Sequence, residues 1–226
     1  MVPEINHRYF FIHMPKTGGT SIRQMLNTAF SQKEILPNRR EMKKYNGYPS
    51  IDKLLAVDKN ILEHKRLARG HYPFVVANTL MPESRKIVFL RSPVERTVSF
   101  LHHMQRRSPE QSIESILESK IRKVANRQVQ FFADNELGCQ VFKSGVVTED
   151  HLQMALCNLE KCWFVGISER FDESMNLCQN MLGINFDNTV TRNQGNYQKT
   201  QLSDELMERI KQLNQFDLIF YNTALS

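Results

Sequence analysis

Residues 13 to 21 read HMPKTGGTS: a lysine, two glycines and three hydroxyl side chains in nine positions, directly after the apolar run YFFIHM. If that run is a strand and the next residues open a helix, the turn between them presents backbone N–H groups with no internal partner. Such a turn is an anion site, reinforced by the helix dipole. Gly18 and Gly19 let the backbone approach a ligand, Thr20 and Ser21 offer hydroxyl donors, and Lys16 supplies positive charge. The lysine stands before the glycines, whereas in a nucleoside-triphosphate P-loop it follows them. Taken alone, the stretch reads as well as a plain strand-to-helix turn with Lys16 in solvent.

A second stretch, RKIVFLRSPVERTVSF, shifts that balance. It is a strong strand followed by a marked helix start: Ser92 as cap, Pro93 at the first helical position, and Glu95 three residues after Ser92 to complete a capping box. With those residues explained structurally, Arg91 at the strand's end and Ser99 two turns into the helix are left to grip a second anion. Arg96 reads as a solvated or helix-supporting residue at least as well as a ligand contact. A magnesium-dependent phosphotransferase wants an acidic residue at the end of such a strand to help hold the metal. A cation there points instead to a ligand with an additional phosphate and no need of metal.

The elements that must position these residues follow from the hydrophobic pattern. Short β-type runs alternate with helical stretches: YFFIHM with GGTSIRQMLNTAF, RKIVFLR with PVERTVSFLHHM, CWFVGI with ERFDESMNLCQNML. Strand-to-helix units in series imply an α/β fold with a parallel sheet flanked by helices and ligands beyond the strands' carboxyl ends. RLARG is a further short strand before HYPF. Residues 31–60 read as a basic, irregular and mobile segment with one short helix near SIDKLLAV. Residues 109–160 read as helices with turns near Gly138 and Gly145. The stretch from Ser203 to Asn222 reads as one amphipathic helix capped by Ser203. Trp163, Phe164 and Phe171 read as packing residues.

No boundary divides the 226 residues, so one domain over 1–226 is expected, long enough to bury a core without disulfides. Four cysteines without a paired framework suggest reduced thiols, and Cys157, Cys162 and His151 lack the C-x2-C spacing of a zinc site. The N-terminal apolar run is too short to span a membrane and lacks signal-peptide features, so a cytoplasmic protein without stable membrane insertion is expected. A net charge of +6 and a pI near 9.2 point to an anionic ligand.

The two phosphate motifs together resemble those of the sulfotransferases that use 3′-phosphoadenosine 5′-phosphosulfate, above all the carbohydrate group related to heparan sulfate 2-O-sulfotransferase and its bacterial relatives. HMPKTGGTS is similar to that group's 5′-phosphosulfate loop, and RSPVERTVS to its 3′-phosphate motif. GHYPF, NRQVQFF, VGISERFDESMNL and LNQFDLIFYNTA extend the resemblance more weakly over most of the chain. It implies a P-loop-NTPase-like three-layer sandwich, the phosphosulfate as co-substrate, no metal, and a hydroxyl-bearing acceptor that is a glycan or a small alcohol. By matching position, Lys16 binds the phosphosulfate and stabilises the leaving oxygen, Thr17, Gly18, Gly19, Thr20 and Ser21 form the cradle, and Arg91 and Ser99 bind the 3′-phosphate. The family's base falls on His71.

Chemistry agrees with that assignment, because transfer to an alcohol needs a group to take the hydroxyl proton and histidine suits the task near neutral pH. His71 also reads as a turn residue, and His13 is a rival base that reads better as packing behind the loop. His102 and His103 point in different directions from one helix. Asn126 and Gln128 read as acceptor-site residues or as an exposed polar face, and residues 191–199 as a closing loop with Arg192 or Lys199 reaching a phosphate. Two other readings stand: a nucleotide kinase with an atypical loop, and a non-catalytic basic module for nucleic acid or acidic polymers built on Arg39, Arg40, Lys43, Lys44, Arg106 and Arg107. The basic clusters lack the interleaved aromatics of a single-strand binder, so no nucleic-acid partner is expected.

Overall fold

The computed structural model describes residues 7–184 and 202–226. The expected closing loop at 191–199 lies outside them. In chain order the elements are β1 (Tyr9–Ile12), α1 (Gly19–Ala29), β2 (Ile35–Leu36), α2 (Arg39–Lys44), α3 (Ile51–Leu55), α4 (Lys59–Glu63), β3 (Leu67–Gly70), α5 (Phe74–Leu80), β4 (Arg85–Leu90) and α6 (Pro93–Gln105). They continue with α7 (Ile113–Ser119), α8 (Ile121–Val124), α9 (Arg127–Phe132), α10 (Gln140–Ser144), α11 (Glu149–Leu159), β5 (Phe164–Ile167), a 3-10 turn (Ser168–Arg170), α12 (Phe171–Leu182), α13 (Asp204–Leu213) and α14 (Gln215–Leu225).

All five strands are parallel, in the order β2-β3-β1-β4-β5, with Tyr9 in register with Leu67 on one side and Arg85 on the other. A parallel strand at the centre is covered on both faces, which is why YFFI has no polar alternation. Its side chains still alternate. Phe10 and Ile12, with Val88 and Leu90, pack against α5, α9, α11 and α14, while Tyr9 and Phe11, with Ile87 and Phe89, pack against α1 and α12. Phe10, Phe11 and Phe89 are fully buried, each stabilising the fold by about 2–3 kcal/mol relative to exposure. A third apolar cluster ties α6 to α7, α8 and α13. The layers are those of the expected α/β sandwich.

Two expectations change. Residues 31–60 hold two short helices, the start of a third and the two-residue strand β2 that extends the sheet edge, rather than one helix in an irregular run. Each helix start there is capped locally, by Asn38, Ser50 and Asp58, but only α3 buries a residue, Leu54, so no hydrophobic period marked them. The C-terminal stretch is two helices, broken at Asn214. That buried side chain donates to the Ile210 carbonyl at 2.8 Å and accepts from the Asn126 N–H at 3.2 Å, a connection to α9 that a continuous helix would not make. Ser203 caps α13 as expected, accepting from Leu206 N–H.

The same joint holds Asn126 and Gln128, which do not form an exposed polar face: Asn126 is half-buried and Gln128 buried. The Asn126 side chain accepts from the N–H groups of Phe216 and Asp217, and the Asp217 carboxylate accepts from those of Gln128 and Val129. Each helix start thus caps the other. Burial pushes the Asp217 carboxyl up to about 6, against the pull of Arg96 and of the two N–H groups. All four cysteines are free thiols, and burial pushes Cys162 and Cys178 up to about 12, so neither is a thiolate nucleophile near neutral pH. No group of metal-ligating side chains occurs among the described residues, and no described helix is long and apolar enough to cross a membrane.

Candidate active site

Because the strands are parallel, β1, β3, β4 and β5 all end at one edge, and the residues just after them, His13, His71, Arg91 and Ser168, meet there. They line an open cleft of about 940 Å³ whose remaining wall is α6.

The loop after β1 has two left-handed residues, Lys16 (φ 74°) and Gly18 (φ 81°). For lysine that conformation costs about 1–2 kcal/mol, and such strain persists where the surroundings enforce it. Here the Lys16 carbonyl accepts from Arg91 Nη1 at 3.2 Å, and Ser168 Oγ bonds the Thr17 and Leu90 carbonyls at 3.0 and 2.8 Å, tying the loop to β4 and β5. Gly18, at the start of α1, has no side-chain cap to offer, so the N–H groups of Gly19 and Thr20 stay uncapped by it, while the Ser21 N–H bonds the Gly18 carbonyl at 3.1 Å. Lys16, Gly18, Gly19, Thr20 and Ser21 all line it. Thr17 is the exception: fully buried, it turns its hydroxyl back to the Met14 carbonyl at 3.0 Å. Burial, then Arg106 and Arg91, hold the Lys16 ammonium below its ordinary pKa.

Close approach explains both glycines. A Cβ on Gly18 would lie 2.7 Å from the Phe171 ring, and one on Gly19 would lie 2.0 Å from His13 Nε2. Gly19→Ala is therefore expected to cost about 2 kcal/mol by overpacking, lowering the thermal midpoint by about 5 °C. Gly138→Ala, where the nearest atom is 3.6 Å away, serves as the control in the same melt.

Arg91 is held from two directions. Its N–H and carbonyl pair with the buried Gln128 amide at 3.1 and 2.8 Å, and its guanidinium also meets Glu95 at 3.3 Å. The capping box expected at Ser92 does not form: Ser92 makes no side-chain cap bond, and its N–H donates to Glu169 at 2.9 Å. Glu95 is drawn instead to Arg91, four residues before it. Arg96, for which solvent, helix support and a ligand contact are all open in the sequence, is buried and donates to the Val124 carbonyl at 2.9 Å, so it is not solvated. Ser99 faces the cleft with Glu95, His103 and Arg107, a stripe at four-residue spacing along α6 and just beyond its end.

His71 stands exposed at the cleft after β3, its Nδ1–H donating to the His13 carbonyl at 2.5 Å. The neutral ring then carries its lone pair on Nε2. Displaced water, with Arg127 and Arg23, holds its pKa below the ordinary 6.5, opposed by the bond to the His13 carbonyl. His13 packs behind the loop, stacked on Phe11 at 5.2 Å with Nδ1 2.9 Å from Tyr48 Oη. Burial lowers its pKa further, with His71, Arg23 and Arg69 adding to the effect.

The sequence reading did not find Tyr48, His103, Gln128's link to Arg91, or Glu169, which holds Ser92 N–H and Tyr221 Oη. Phe171 packs against the loop after β1 as well as its own layer. Only His103 had a usable signal, its position one turn after Ser99. Of the basic clusters, Arg107 lines the cleft with Lys123, whereas Arg39, Arg40, Lys43 and Lys44 lie exposed on α2. The cleft can therefore hold a dianion on α1 and a second anion between Arg91 and Ser99, with an unprotonated imidazole nitrogen nearby.

No protein-family model matches the chain, and no curated protein matches it. Among solved structures, a sulfotransferase from Alicyclobacillus acidocaldarius is similar over 92% of each chain, at 15% identity and a TM-score of 0.48.

Proposed function

We propose that the protein moves a sulfuryl group from 3′-phosphoadenosine 5′-phosphosulfate to a hydroxyl of an acceptor, with a carbohydrate as the favoured class. The observation that carries this reading is the placement of Lys16, Arg91 and His71 around one cleft at the carboxyl edge of the sheet. The α1 N-terminus and Lys16 fit the phosphosulfate end of the donor, and Arg91 with Ser99 fits its 3′-phosphate. The donor supplies an activated sulfur–oxygen bond. His71 Nε2 takes the acceptor's hydroxyl proton as its oxygen bonds to sulfur. The bond to the 5′-phosphate oxygen breaks, and its electron pair is stabilised by Lys16 and the loop N–H groups. The carbohydrate preference rests on the two motifs and the basic charge.

The test is calorimetric comparison of adenosine 3′,5′-bisphosphate, ADP and Mg-ATP. Tighter binding of the bisphosphate, without magnesium, is the expected result. Preference for Mg-ATP would replace this reading with the kinase, and binding of acidic polymers without any nucleotide binding would replace it with the basic module.

A further inference from the structure

Behind the phosphate loop, the loop between α2 and α3 brings Tyr48 onto both histidines. Its hydroxyl lies 2.9 Å from His13 Nδ1, and its ring stands edge-on to His13 at 5.9 Å and 89° and to His71 at 4.9 Å and 82°. The His13 and His71 rings are themselves 4.4 Å apart. Tyr72 anchors the loop, donating its hydroxyl to the Pro49 carbonyl at 2.8 Å, with its ring 6.1 Å from that of Tyr48.

This arrangement answers a need that the His71 bond alone does not meet. A neutral imidazole has two tautomers and two ring orientations, and its role as proton acceptor depends on which nitrogen is free. The bond to the His13 carbonyl selects one tautomer only while the ring stays in place, and that carbonyl belongs to the residue whose side chain Tyr48 holds.

We propose that Tyr48 is a positioning residue for His71, its ring and hydroxyl holding the His13–His71 pair so that His71 keeps Nδ1–H on the His13 carbonyl and presents an unprotonated Nε2 to the cleft. The proposal rests on the reading of His71 as the base. Burial raises the Tyr48 phenol's pKa, so it stays protonated, and its hydroxyl shares a hydrogen bond with His13 Nδ1 whose direction follows the His13 tautomer, while His13 Nε2 lies beside Gly19. The other groups facing the pair are Arg23 from α1, Arg69 from β3, Arg127 from α9 and Tyr72. None is a carboxylate, and of the contacts named only the His13 carbonyl favours the charged His71 imidazolium.

The experiment is long-range proton–nitrogen NMR of the imidazoles in the wild-type chain, Tyr48→Leu and Tyr48→Phe, with His13 and His71 assigned by His13→Gln and His71→Gln. Circular dichroism and adenosine 3′,5′-bisphosphate binding are measured on the same samples. The wild-type His71 should show a protonated Nδ1 and an unprotonated Nε2. Tyr48→Leu should shift both nitrogens toward the averaged positions of a tautomer mixture and raise the His71 titration midpoint toward the ordinary value. Tyr48→Phe should shift His13 signals and leave His71 nearly unchanged. Unchanged His71 signals in a folded Tyr48→Leu chain would overturn the proposal, as would a mixed tautomer already present in the wild type. Should Tyr48→Leu not fold, unchanged His13 signals in Tyr48→Phe would overturn it. A wild type that binds no bisphosphate, yet loses its His71 tautomer in Tyr48→Leu, would reject the sulfuryl-transfer reading and retain the positioning role.

Discussion

Arg91→Ala is expected to weaken binding of adenosine 3′,5′-bisphosphate about a hundredfold while ADP binding hardly changes. Charge-assisted hydrogen bonds to a phosphate contribute about 1.5–3 kcal/mol, and 1.4 kcal/mol is about tenfold in affinity. What the phosphate must displace is weak: the Arg91–Glu95 pair is half in water, Glu95 being exposed, and such pairs contribute about 0–1 kcal/mol. Arg91 is also preorganised, because the Gln128 amide holds its backbone at both ends. Arg91→Lys keeps the charge but loses the planar fork, so an intermediate loss is expected. Calorimetry with both nucleotides decides the matter. An equal loss for ADP would mean that Arg91 acts by propping the loop through the Lys16 carbonyl and does not read the 3′-phosphate.

His71→Gln is expected to reduce transfer from a radiolabelled donor to a panel of glycans and simple alcohols by roughly 10²- to 10⁴-fold, the usual worth of a positioned acid–base group. Affinity for the bisphosphate should not change, since the loop and Arg91 are untouched. The wild-type pH profile has a definite sign. Displaced water, with Arg127 and Arg23, keeps His71 neutral down to a pH below the ordinary 6.5, against the pull of the His13 carbonyl. Activity should therefore be flat through neutrality and fall only as pH drops through that depressed pKa, and the acid limb should vanish from the residual activity of His71→Gln. Persistence of the same limb in the variant would assign it to another group, with His103 on the cleft wall the first candidate.

Much of this site is legible in the sequence because its contacts are local. The strand-loop-helix units place Lys16 and Gly18 through Ser21 at a helix start, and Arg91 and Ser99 on the next unit, through short-range backbone geometry that neighbouring residues specify. The same locality misleads where a distant group competes. Ser92 and Glu95 have the spacing of a capping box, yet Glu169, seventy-seven residues further on, takes the Ser92 N–H, and Arg91 takes Glu95. Thr17 lies within the loop motif, but its hydroxyl satisfies the Met14 carbonyl.

The parallel α/β class, the glycine-rich turn from strand to helix and the cation at the end of β4 can be read from the chain alone, since strand periodicity, glycine placement and helix-start chemistry are properties of adjacent residues. Long-range packing is what sets Tyr48 against His13 and His71, braces Arg91 with Gln128, and divides the last helix at Asn214. Those contacts join residues 23 to 88 positions apart. Buried polar groups take whichever partner the packed chain brings within reach, and no local pattern records it.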